Sequence, residues 1–137
     1  MRDCIMEALI FRIHSVFGEM ILPVLIVAAA LYLTFTYKVD APQTLIARLF
    51  PYLVDLQIGL GLLLWVMKLL GPLSVLGYYQ GFPFIMHPVL GLLAMGLGHL
   101  AMDARNPVRS FRRWAPLASL GVLLLLVVGN ALLVRLV

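Results

Sequence analysis

His14 is followed four residues later by Gly18, and His87 four residues later by Gly91. Positions i and i+4 share one face of a helix, so each stretch sets an imidazole above a missing side chain. Two such imidazoles, on different helices at similar depth, make the donor set of a haem held between helices. Iron takes a nitrogen from each side, and the macrocycle needs space where side chains would otherwise stand. On this reading His14 and His87 are the axial metal ligands of a haem b, and Gly18 and Gly91 make the room. The redox chemistry belongs to the cofactor, and the chain has no independent catalytic activity. The same spacing also suits close helix packing, with each histidine bonded to water or a carbonyl.

His99 lies twelve residues after His87. That puts it about 18 Å further along a helix and turned about 120° away, so the two cannot serve one haem. Asp55 is expected at a similar depth to His99. A carboxylate beside an imidazole orients the ring, and the pair reads either as a metal or proton site or as a structural hydrogen bond joining two helices. A second haem would need another axial ligand, and the chain has three histidines in all. Glu19 stands four residues before Pro23. Proline clashes with the carbonyl at i−4 and removes a hydrogen bond there, so the backbone is loosened where an acid sits. This marks either a proton path or quinone contact, or a kink whose acid is neutral and internally bonded.

The elements that must position these groups follow from composition. The chain has 137 residues, of which 64% are hydrophobic and 12% charged, with a mean hydropathy of +1.07. Soluble domains average about 45–50% apolar and about 25% charged residues. A small soluble core cannot hide so much apolar surface, so the chain belongs in a lipid bilayer. Four apolar stretches approach the roughly 20 residues needed to cross the hydrocarbon: Phe11–Tyr37, Phe50–Leu70, Phe84–Met102 and Trp114–Val134. Backbone groups in lipid must be satisfied within the segment, which makes these spans helices. Turn chemistry separates them at Lys38–Thr44, at Gly71-Pro72 with Gly77 and Gly81, and at Asp103–Pro107. Such short connections predict a single all-α domain, an integral membrane four-helix bundle running up-down-up-down.

Cys4 is the lone cysteine, which excludes an internal disulfide. Asp3 and Glu7 interrupt the basic start expected of a signal peptide. There is no nucleotide loop, His-Glu-x-x-His spacing or nucleophile elbow. The formal charge of +4 reads as membrane orientation and not as nucleic-acid binding. Lys38, Arg48, Arg105, Arg109, Arg112 and Arg113 fall on one side, and Arg2, Arg12, Lys68 and Arg135 on the other. The positive-inside rule then puts both termini outside, in a bacterial inner membrane, with Arg2 and Arg12 the residues able to reverse the orientation. Tyr37 and Trp114 would line the inner interface, and Trp65, Tyr78 and Tyr79 the outer one. The Arg105–Arg113 cluster reads as a topology anchor or as a patch for an acidic partner or anionic lipid.

Gly91, Ala94 and Gly98 form a small-residue stripe, and Gly59, Gly61 and Gly121 allow similar approach. Such stripes support a second reading, a non-catalytic accessory subunit packed against other membrane subunits. Asn130 is expected to make an interhelical hydrogen bond, and the methionines to fill core.

Several strings in this chain resemble small bacterial four-helix membrane proteins loosely labelled cytochrome b-like. They are His14-Ser15-Val16-Phe17, Asp55-Leu56-Gln57-Ile58-Gly59-Leu60-Gly61, His87, Gly98-His99-Leu100-Ala101 and Phe111-Arg112-Arg113. Here Phe17-Gly18 stands where an arginine or aromatic often follows the first His-Ser, and Met86 where an acid often precedes the histidine of the third helix. The resemblance touches all four spans and implies electron-transfer surroundings, in a respiratory or photosynthetic membrane.

Overall fold

The computed structural model describes residues 2–38, 44–70, 81–102, 111 and 114–135. The first span is one continuous rod in three parts: α1 (Arg2–Val16), a π turn (Phe17–Ile21) and α2 (Leu22–Thr36). The other spans are α3 (Leu45–Leu69), α4 (Phe82–Met102) and α5 (Ala115–Arg135). All four spans are long and apolar enough to cross a membrane. The first begins well before Phe11, because the polar residues Arg2, Asp3 and Glu7 lie inside the helix. Gly71-Pro72, Gly77, Tyr78 and Tyr79 lie outside the described residues, as do Arg105, Arg109, Arg112 and Arg113.

Local chemistry accounts for the helix ends and the one irregularity. Thr44 caps α3, its hydroxyl accepting from the Ala47 N–H at 3.3 Å. Thr34 and Thr36 donate their hydroxyls back to the carbonyls of Ala30 and Tyr32, which satisfies them within the segment, as an apolar surrounding demands. Pro23 sits in the first turn of α2. It has no N–H for the Glu19 carbonyl and its ring crowds that group. The chain relieves this by widening one turn, so that the Leu22 N–H donates to the Phe17 carbonyl five residues back.

The spans pack as a closed four-membered ring, with neighbours first–second, second–third, third–fourth and fourth–first. Ion pairs and hydrogen bonds show that neighbours are antiparallel. Glu7, early in the first span, pairs with Lys68, late in the second. Asn130, late in the fourth, reaches His87, early in the third. The two halves of the bundle are packed differently. In one half Leu22, Ile26 and Leu33 of α2 close on Phe50 and Val54 of α3, Ala94 of α4, and Leu120 and Leu123 of α5. In the other half, none of the described side chains of α1 is buried, and a cleft opens between the spans. Large apolar side chains such as Phe35, Leu70 and Leu125 point outward, the arrangement expected where lipid is the solvent.

Candidate functional site

The cleft is built where the tight half of the bundle gives way to α1. The first and third spans are diagonal partners in the ring and do not pack side by side. Their histidines nevertheless meet across the centre, with the His14 and His87 ring centroids 6.0 Å apart and the ring planes at 86°. Because the helix begins at Arg2, His14 sits about 18 Å along it, deeper than a helix starting at Phe11 would place it.

Each imidazole has an amide on a neighbouring span. Gln57 of α3 donates through Nε2 to the His14 carbonyl at 3.0 Å and lies 3.0 Å from His14 Nδ1. Asn130 of α5 donates through Nδ2 to the His87 carbonyl at 3.0 Å. Both amides are nearly fully buried. Three buried polar atoms on these residues lack a hydrogen-bond partner among the described residues: Gln57 Oε1, His87 Nδ1 and Asn130 Oδ1. All three residues line the cleft, and each atom left unpaired costs about 1–3 kcal/mol.

The glycines make close approaches, each to a definite neighbour. A Cβ at Gly18 would collide with Gln57 Nε2, so Gln57 fills that gap. A Cβ at Gly61 would fall 2.6 Å from His14 Cε1, so the His14 ring lies on Gly61. Gly91 faces Ile58 and Gly98 faces Val54, at 3.2 and 3.3 Å by the same measure. The Gly91–Ala94–Gly98 stripe thus brings α4 against α3.

At the rim of the cleft Glu19 pairs with Arg135. Glu19 is placed there by the π turn. Asp55 and His99 are apart from this site. His99 Nε2 lies 2.9 and 3.0 Å from the two Asp55 carboxylate oxygens, joining α3 to α4, with the Tyr52 ring edge-on 6.3 Å away.

The donor set can be tested against a metal macrocycle. The two rings stand edge-on with centroids 6.0 Å apart, and His14 and His87 are the residues that would hold such a group. Among the described residues no three His, Cys, Asp or Glu side chains cluster to hold a bare metal. Two imidazoles suffice only for a metal that brings its own equatorial ligands. The cleft, which is open on one side, holds about 150 Å³, the scale of a cavity that takes benzene. A haem would need far more room than this, beginning with displacement of Gln57 and Ile58 from the gaps at Gly18 and Gly91.

Sequence reasoning singled out both histidines but not Gln57. The signal was present: Gln57 is followed four residues later by Gly61, the spacing that marked His14 and His87. No protein-family model matches the chain, and no curated protein or solved structure matches it either.

Proposed function

We propose that this chain is a small b-type cytochrome-like electron-transfer protein of a bacterial inner membrane, with His14 and His87 as the axial ligands of a haem b. The observation that supports this is the 6.0 Å separation of the two rings across the bundle, in a cleft with no third protein ligand among the described residues. The cofactor, when bound, supplies one-electron redox chemistry. The chain's part is to bind, orient and exclude water. His14 and His87 offer the nitrogens. Leu22, Ala94 and Val127 form apolar wall, which keeps the local dielectric low and so tunes potential. Both termini face outward on this reading, and the Arg135–Glu19 pair closes the rim on that side.

The test is an absorption spectrum of the purified chain, oxidised and dithionite-reduced. A Soret band that His87→Ala abolishes and His99→Ala leaves in place is the expected result. Absence of the band from both redox forms ends the proposal.

A second reading, an accessory subunit of a respiratory or photosynthetic complex, is favoured by different residues. Nothing stands within 4 Å of a Cβ placed at Gly59, Gly96, Gly121 or Gly129, so these positions leave small-residue faces open to helices of other subunits. Gentle detergent extraction and native sizing test it; migration as a lone monomer counts against it.

A further inference from the structure

At the size it has, the cleft suits a guest much smaller than a macrocycle. Its volume of about 150 Å³ is the room that takes a benzene ring. Its wall is mostly apolar, with Leu22, Leu62, Ala94 and Val127 among the lining residues. Glu19 and Arg135 at the rim pair with each other, which matches the two charges and leaves the site to a neutral guest. Gln57 and Asn130 line it too, only 6% and 8% exposed. A carbonyl oxygen only accepts hydrogen bonds. The Gln57 atom 3.0 Å from the His14 carbonyl is therefore its NH2 group, and so is the Asn130 atom 3.0 Å from the His87 carbonyl. These contacts fix both amides against a flip. What each amide has left is its oxygen. Gln57 Oε1 and Asn130 Oδ1 are buried and have no hydrogen-bond partner among the described residues. A buried acceptor in that state is costly until something donates to it. Water alone answers this poorly, because each water needs several polar partners and most of the wall has none to give.

We infer that the cleft binds a neutral ring of benzene size that carries hydroxyl donors, a phenol or quinol, with Gln57 Oε1 and Asn130 Oδ1 as its acceptors. The ring takes the apolar wall, and its hydroxyls satisfy the two oxygens. His87 Nδ1, also buried and unpaired, accepts from or donates to a hydroxyl according to where the imidazole proton sits. The oxidised form of the same ring, a quinone, has carbonyl oxygens and no donor. It leaves both amide oxygens unpaired and sets acceptor against acceptor. The site therefore discriminates by oxidation state, through hydrogen bonding alone. This inference goes beyond the haem reading and does not rest on it, since a ring in the cleft and a macrocycle exclude each other.

The experiment uses the full chain in nanodiscs, without haem. Hydroquinone and para-difluorobenzene have nearly the same shape, and only the first donates. Each is titrated against the chain, with uptake by protein-free nanodiscs subtracted, while nitrogen-15 spectra follow the side-chain amides of Gln57 and Asn130. Hydroquinone should shift both amide signals and bind about tenfold or more tighter than para-difluorobenzene. Gln57→Leu and Asn130→Leu should each weaken hydroquinone by about fivefold or more without weakening para-difluorobenzene. Equal affinity of the two probes for the unsubstituted chain overturns the inference and needs no variant to fold. Amide signals unmoved by either probe overturn it as well, leaving a cleft that holds water only. Decylhydroquinone, which stays in the bilayer, separates a lipid-borne ring from a dissolved one. Whichever of the two hydroquinones binds tighter names the source, and either result upholds the site. Hydroquinone binding with no Soret band in any redox form upholds this site and removes the haem reading. A Soret band in a chain that does not bind hydroquinone does the reverse.

Discussion

Gly61→Ala puts a methyl group where the His14 ring lies. The added Cβ would stand 2.6 Å from His14 Cε1 and 3.3 Å from each ring nitrogen. Carbon pairs rest at about 3.5–4.0 Å, so the ring must retreat by about 1 Å. Gln57, one turn earlier on the same helix face, holds the ring at 3.0 Å, and a retreat of that size breaks or bends the bond. Overpacking costs about 1–3 kcal/mol and the lost hydrogen bond about 0.5–1.5 kcal/mol. Alanine's better helix propensity returns about 1 kcal/mol. The balance is a loss of about 0.5–3.5 kcal/mol. Gly59, two residues earlier on the same helix, has nothing within 4 Å of its virtual Cβ. Gly59→Ala should therefore stabilise the isolated chain by up to about 1 kcal/mol. Equilibrium unfolding in mixed micelles, titrated with a denaturing detergent, compares the two directly. Shifts of the same sign and size would refute the placement of His14 on Gly61.

Leu22→Ala removes a side chain that is 1% exposed where the packed half meets the cleft and should cost about 2–5 kcal/mol in the same unfolding assay. Asp55→Asn weakens the link to His99 in a partly exposed pair, so the loss should be at most about 1 kcal/mol, and any Soret band should be unchanged. Gln57→Leu removes two hydrogen bonds to His14 but also an unpaired buried oxygen. Its net cost should be near 1 kcal/mol, and its clearer effect is release of the His14 ring, read as a shifted His14 signal in a nitrogen-15 spectrum of the histidines. Glu19→Gln takes away the charge paired with Arg135. If Glu19 contacts a proton path or quinone, electron or proton flux in native membranes falls, and unchanged flux removes Glu19 from both roles.

The architecture was legible because lipid leaves few choices. Runs such as Leu123–Val128 permit only a self-satisfied helix in hydrocarbon. The start of the first span was less legible, because Arg2, Asp3 and Glu7 lower local hydropathy while a helix bears them readily. Pro23 signalled a disturbance at Glu19, and the π turn is the form it took. Short connections made consecutive spans antiparallel neighbours, but which side each span turns to the centre was not legible. Hydropathy carries no azimuth, and the hydrophobic stripes run nearly all round each span, so the diagonal placement of His14 and His87 appears only in three dimensions. Gln57 was passed over because one amide in an apolar run looks like ordinary interhelical glue. Its importance comes from what stands opposite, Gly18 and the His14 ring, and neither is near it in sequence.

The widened turn between α1 and α2 acts as a phase offset. A π turn adds one residue, so the residues on either side are out of step by about 100° relative to an unbroken α-helix. Leu22, Ile26 and Leu33 are locked against the packed half, while the offset turns the segment bearing His14 toward Gln57 and Gly61 of α3. Deleting one residue between Phe17 and Ile21 would swing His14 a quarter-turn around the axis and leave the Leu22 wall in place. A single residue of length thus sets which neighbours the His14 ring meets, and its loss would take the ring off Gly61 and away from Gln57.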